Sequence, residues 1–269
     1  NESFIDSATL RENVVALARN VGYVPSSRRA ATANISFTVD LGSGTSKSSV
    51  TLKAGLVALG DFANTNYTFC VSEDITSPVT DGFAEFTIDI KQGTFVTNEF
   101  VVDTSQPNQK FIIPNPYVDT STLKVQVRDT LTSSSRKTYS QIDNIVGIST
   151  HSETFLIQEI QDEKYELLFG DGVLGKRLSN GNVINSTYIV TDGVGGNGVS
   201  NFSFAGKLVD NDGGLITSGI SDIITNERSR NGAEVESIDT IRNLSTRVYS
   251  AQHRAVTAND YEAIIPTIF

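Results

Sequence analysis

Apolar and polar positions alternate singly through much of the chain between Ala30 and Tyr139. In "ANISFTVDL", Ile35, Phe37 and Val39 alternate with polar neighbours; in "GFAEFTIDI", Ala84, Phe86, Ile88 and Ile90 oppose Phe83, Glu85, Thr87 and Asp89; in "LKVQVRD", Leu123, Val125 and Val127 repeat the pattern. Period two predicts strands with one buried face, and turn-rich stretches such as "LGSGTSKSS" and "GDFANTN" separate them. "KYELLF", "VINSTYIV" and "VSNFSF" continue the β-pattern to about Leu208.

The ends of the chain follow a different period. Leu10, Val14, Leu17 and Val21 recur every three or four residues, which predicts a helix with one apolar stripe. Thr9 and Glu12 have capping-box spacing, and Gly22 and Pro25 supply a stop. The stripe faces either this chain's own β-core or a partner helix; the spacing leaves both open. Beyond "VDNDGG" the helical period returns at Val235, Ile238, Ile241, Leu244 and Val248, and a second helix is predicted at "TANDYEAII", with Thr257 and Asp260 as capping box and Pro266 as terminator. The layout is a helical segment (1–25), a β-rich domain (30–150), a second β-rich region (151–215) and a helical segment (220–269). The fold class expected is mainly β with flanking α-helices (α+β), with antiparallel β-sandwich-like domains between the terminal helices.

Composition narrows the function. The 269 residues are 38% hydrophobic and 19% charged, a globular balance with ample length for a core. A formal net charge of −10 repels phosphate backbones and anionic lipid, which argues against nucleic acid and membrane partners. No apolar run approaches the roughly 20 residues of a bilayer span. Cys70 is the single cysteine, so an intrachain disulfide and a cysteine-rich zinc site are excluded. Asn-x-Ser/Thr sequons at Asn34, Asn66, Asn185, Asn201 and Asn243 are expected noise in an Asn- and Ser-rich chain. With no Met, even at position 1, and an end at "IIPTIF", the chain reads as part of a longer polypeptide.

Several motifs suggest chemistry and fail on context. In "FGDGVLGKRLSNGNV", Gly170, Gly172 and Gly175 have dinucleotide-loop spacing, and Gly170, Gly175 and Lys176 fit part of a phosphate loop. Such a loop must open a helix whose free N–H groups meet the phosphates. Here "NGN" and a β-rich run follow, and Arg177 stands where a magnesium-binding Ser or Thr belongs. The expectation is tight turning between paired strands, with no nucleotide and no other cofactor. "GVGGNG" repeats the spacing before another strand. "VDTS" occurs at Val102–Ser105 and Val118–Ser121, too close together to head two protease lobes. "DNDGG" lacks the later ligands of a calcium loop, since Gly214 replaces an oxygen donor. His151 and His253 are the only histidines, no "GxSxG" elbow is present, and Cys70 in "YTFCV" reads as core. No catalytic or metal-binding residue is predicted, and no small-molecule substrate.

With these alternatives set aside, "YELLFGDGVLGKRLSNGNVINSTYIVTDGVGGNGV" resembles the signature of baseplate J-like proteins, structural components of contractile phage tails and related injection machines. The pattern is a strand ending in Phe169-Gly170-Asp171-Gly172, a Gly175-Lys176 pair, a turn, a strand with Tyr, and a closing glycine-rich run. "ESFIDSATLRENVVALARNVGYVPSSRRAA", "VTLKAGLVAL", "NGAEVESIDTIR" and "RAVTANDYEAII" resemble its flanking blocks in order, and "IPNPYVDTSTLKVQV" is most similar to the wedge subgroup of T-even-like phages. The resemblance implies a non-enzymatic virion protein of the tail baseplate, assembled in the host cytoplasm. It implies a dimer with itself and contacts to other wedge proteins, joining wedges into a ring around the hub that rearranges when sheath contraction is triggered. Leu10, Val14, Leu17 and Val21 would then enter a helical bundle. The alternative is a β-rich receptor- or glycan-binding tail module, using exposed loops such as "DFANTNY".

Overall fold

The computed structural model describes residues 2–142 and 147–251. The chain opens with helix α1 (Arg11–Asn20), whose buried side chains are Val14, Val15 and Ala18. The Thr9/Glu12 capping box does not form. Leu10 is the N-cap without a side-chain bond, and the carboxylate of Glu2 does the capping instead. It accepts from Thr9 N–H at 3.1 Å, Thr9 Oγ1 at 2.8 Å, Leu10 N–H at 3.3 Å and Asn13 Nδ2 at 3.0 Å. Those bonds hold the Glu2 pKa down at about 2, with the Asn13 amide the largest cause. A bend at Phe4–Ala8 brings Glu2 back over the helix start.

The strands then follow: β1 (Thr32–Asp40), β2 (Ser49–Leu52), β3 (Gly55–Phe62), β4 (Thr65–Val71), β5 (Ile75–Thr80), β6 (Phe83–Gln92), β7 (Thr94–Val101), β8 (Phe111–Ile113), β9 (Val118–Arg128), β10 (Lys137–Gln141), β11 (Thr154–Ile160), β12 (Lys164–Phe169), β13 (Val183–Val190), β14 (Phe202–Phe204), β15 (Leu208–Asp210), β16 (Leu215–Ile216) and β17 (Ile224–Arg230). Helix α2 (Ile238–Ala251) closes the described chain. The fold is mainly β, with two sheets and a helix toward each end.

The first sheet has ten strands, in the order β14-β3-β4-β6-β5-β2-β15-β16, with β1 and then β17 beside β6. Alternation sets its register: β1 pairs β6 from Thr32↔Lys91 to Asp40↔Phe83, so Ile35, Phe37, Phe86 and Ile88 share the inner face. The sheet folds over this core. Phe204 on β14 meets Phe37 on β1 at 5.1 Å between ring centroids, although three strands separate them in the order.

The second sheet runs β7-β13-β9-β10-β11-β12-β8 and also curls, since Phe100 and Phe111, on its two edge strands, lie 5.8 Å apart. It departs from the antiparallel expectation at one place. Strands β10 and β11 are parallel through Ser140↔Thr154 and Gln141↔Phe155. The connection between them is long enough to return to the same end, which a tight hairpin cannot do.

The second sheet interrupts the first in sequence. The chain leaves after β6 and returns after β13, and the two crossings are tied together by buried Gln92. Its Oε1 accepts from Thr191 Oγ1 at 2.7 Å and Asp192 N–H at 3.0 Å, while its Nε2 donates to Asp192 Oδ2 at 2.7 Å. Gly93 must be glycine there: at φ +131, an added Cβ would lie 2.3 Å from the Val190 carbonyl oxygen. Elsewhere the sheets share a small apolar cluster, Ala30, Cys70 and Ile189 with Phe95 against it.

Two stretches differ from their sequence reading. "GDFANTN" is mostly strand: β3 and β4 meet in a hairpin whose turn residues, Ala63 and Asn64, both have positive φ. The span 220–269 opens not as a helix but as β17, a polar edge strand paired with β1. The expected helix at "TANDYEAII", with Thr257, Asp260 and Pro266, and also His253, lies outside the described residues.

Candidate functional site: the glycine-rich turn and the helical layer

The signature begins where β12 ends. Phe169 anchors it, its ring 5.7 Å from Phe111, 5.8 Å from Tyr139 and 6.3 Å from Phe155. Next, Gly170 bridges to Arg177 and packs against the backbone of Gly175. A Cβ on Gly170 would sit 2.2 Å from the Gly175 carbonyl carbon, so a larger residue would open the loop. Asp171 organises the tip. Its Oδ1 accepts from Leu174 N–H at 2.9 Å and Val173 N–H at 2.8 Å, which lowers its pKa below the usual carboxylate range. Gly172 N–H donates to the Gly175 carbonyl at 3.1 Å, and both glycines have positive φ.

The far side is fastened to the segment before β11. Gly175 N–H donates to the Ser149 carbonyl at 3.2 Å, and Lys176 N–H to that of Ser152 at 2.9 Å. The Lys176 ammonium bonds Glu153 at 2.7 Å, which raises the lysine pKa. All this bonding presents two apolar side chains to solvent: Val173 is 70% exposed and Leu174 46%. Sequence reading attended to the glycines and passed over this pair. The available signal was an apolar dipeptide enclosed between two turn-forming glycines.

The turn does not reverse between paired strands, as the sequence suggested. β12 pairs β11 and β8, whereas β13 pairs β7 and β9. Residues 170–182 therefore carry the chain across the sheet past β11, β10 and β9. After Lys176 the backbone passes through the Arg177 bridge and a turn at Asn180–Gly181 into β13, so no helix N-terminus meets the glycines. Within β13, Tyr188 is fully buried, and its hydroxyl donates to Asn115 Oδ1 at 2.7 Å.

The helical layer forms the second candidate surface. Val14, Val15 and Ala18 of α1 pack with Ala8, Tyr23 and Ile241 and Val248 of α2, with Leu17 partly buried against them. The stripe thus meets a helix of this same chain. Val14 faces that cluster, Leu17 borders it, Val21 is the half-buried C-cap, and Leu10 is 52% exposed. Polar clamps hold the layer to the second sheet and hold its own segments together. Arg11 grips Glu159 of β11 with two bonds, Nε–Oε1 at 2.5 Å and Nη2–Oε2 at 3.2 Å, and Arg19 donates to the Ile157 carbonyl. Tyr23 donates to Glu236, and Arg242 donates to the Ile5 and Ala8 carbonyls.

The remaining motifs are occupied by local structure. Asp103 accepts from Ser105 N–H and Oγ and fastens its own turn, whereas Asp119, at the start of β9, accepts from Ser121 N–H and Oγ and from Ala30 N–H, so both "VDTS" carboxylates are engaged structurally. In "DNDGG", the Lys47 ammonium lies 2.8 Å from Asp210 and 2.7 Å from Asp212, where a bound cation would otherwise neutralise them. Cys70 is buried, and burial pushes its thiol pKa to about 12, away from the thiolate needed for nucleophilic attack. His151 is exposed and bonds Thr150 Oγ1 at 2.9 Å. Among the described residues, no group of three His, Cys, Asp or Glu side chains converges to hold a metal.

No family model matches the chain. Over an alignment of 289 residues that takes in 100% of the chain, it is 28% identical to the baseplate wedge protein gp6 of Enterobacteria phage T4. The chain spans 42% of the length of that relative.

Proposed function

We propose that this chain is a non-enzymatic structural component of a contractile-tail baseplate: a wedge subunit that pairs with a second copy, contacts other wedge proteins and helps link wedges into a ring around the hub. The similarity to a baseplate wedge protein over the whole chain carries the reading. The geometry agrees with it. The signature turn spends its polar groups on its own rigidity and offers Val173 and Leu174 outward, as a contact point between subunits would. The apolar seam between the sheets is small, which suits β-bodies that shift as units when the assembly changes state. In this reading the baseplate J-like pattern is a scaffold for that tip, and the β-bodies are sandwich-like.

The test is the mass of the intact protein alone and mixed with its neighbouring tail proteins, compared with a Val173→Ser/Leu174→Ser variant. The wild type should self-associate and co-assemble. The variant should keep its melting temperature and lose a contact. A wild-type protein that stays monomeric in every mixture would refute the wedge reading. Because Val14 also fills an intrachain cluster, alanine there reports folding; exposed Leu10 is the cleaner probe of a partner bundle.

A second reading, a glycan-binding tail module, draws on the exposed hairpin at Ala63–Asn64. The Phe62 ring beside it is partly engaged, since a Cβ on Gly198 would lie 3.0 Å from it. Specific binding on a glycan array would favour this reading over the first.

A further inference from the structure

Two ends of the first sheet, β14 and β16, border one groove of about 730 Å³. Its walls are residues 202–207, 215–217 and 220–223. Phe202, Phe204, Ile216, Ile220 and Ile223 reach from it onto the main apolar core, only partly covered, and Leu215 is 59% exposed.

Backbone pairing shows what these walls lack. Opposed residues in an antiparallel ladder alternate between bonded and non-bonded pairs. Ala205 N–H donates to the Val57 carbonyl at 2.8 Å, so its neighbour in the register, Phe204↔Ala58, is a non-bonded pair. The N–H and C=O of Phe204 therefore point away from β3. On the other wall, Asp210 N–H donates to the Gly214 carbonyl at 2.9 Å, which makes Val209↔Leu215 non-bonded and turns the Leu215 groups away from β15. Two unpaired main-chain edges and an apolar floor border the same space.

We propose that the groove accepts an extended segment of another protein, which adds a strand between β14 and β16. Unpaired edges favour a strand over a compact ligand, because a strand supplies donors and acceptors along its length. The chemistry of the segment follows from its surroundings: apolar in the middle, with one acidic and one basic residue. Lys207 and Asp222 both line the groove, both are exposed, and neither joins an ion pair among the described residues. This inference does not depend on the baseplate reading and fails separately from it.

The probe is a short alternating valine–threonine peptide with lysine at one end and glutamate at the other, added to the full chain. Amide exchange, followed by NMR, should slow at Phe204 and Leu215 by about tenfold, the protection of roughly one added hydrogen bond. The same peptide N-methylated on alternate amides should give no slowing. Leu215→Lys should abolish the slowing while leaving the melting temperature unchanged; Lys207→Glu should weaken it. The proposal is overturned by unchanged exchange at saturating peptide, or by equal protection from the N-methylated peptide. It is also overturned if peptide-free protein is a dimer that Leu215→Lys dissociates, because the occupant would then be a second copy.

Discussion

The core of the first sheet buries Phe37, Phe69 and Phe86 among aliphatic side chains drawn from many strands. The helical layer buries Ala8, Val14, Val15 and Ala18 against a few residues of α2 and Tyr23. Small side chains remove little apolar area from water, so the layer gains little from the hydrophobic effect and leans on directed polar bonds. Arg11, Arg19, Arg242, Tyr23 and Glu2 supply them. The lesson is one of division: the sheets hold their shape by volume, whereas the helices are held in place by a few named bonds that can be released singly.

Three substitutions test that division. Phe69→Ala should have the largest effect. Its fully buried ring packs edge-on against Phe202, and its loss should cost about 3–5 kcal/mol of global stability in denaturant unfolding. Glu159→Gln should cost less and act locally. The Glu159 side chain is 5% exposed and that of Arg11 22%, so removing the charge leaves a largely covered guanidinium unpaired. A loss of about 2–3 kcal/mol, below that of a fully buried pair, should appear as faster amide exchange in α1 with the sheets unaffected. Equal acceleration in β1 and α1 would show that the two regions are one cooperative unit. Glu2→Gln should be mildest, fraying only the first turn of α1. The pH dependence has a definite sign. Because the folded-state pKa is depressed from 4.5 to about 2, the Glu2 contribution is full above 4.5 and fades as pH falls toward 2. An NMR titration of the Glu2 carboxyl with its midpoint near 4.5 would remove Glu2 from this role.

Individual strands were legible in the sequence where apolar positions alternate or run together. "KYELLF" and "VINSTYIV" coincide with β12 and β13, and the alternation of β6 matches its burial residue by residue. Which strand lies beside which was not legible, because period-two patterning states a face and not a neighbour. The glycine-rich turn therefore looked like a hairpin and is a crossing, and the parallel β10–β11 pair gave no local sign. Strand β17, "ITNERSR", escaped because it lies at an edge and buries only Ser229. Gly170, Asp171, Gly172 and Gly175 lie in the crossing that follows β12. Along the stripe Val14 is buried and Leu10 is exposed, because the helix begins at Arg11 and its cap comes from Glu2, too far upstream for any spacing rule.

The interruption of one sheet by the other also orders events during synthesis. All strands of the second sheet have left the ribosome once Val190 has emerged, whereas β1, already paired with β6, waits for its second neighbour until Arg230, which pairs with Thr32. The inserted sheet can thus be complete on a nascent chain whose outer sheet still lacks a flank, and translation itself holds that edge open longest.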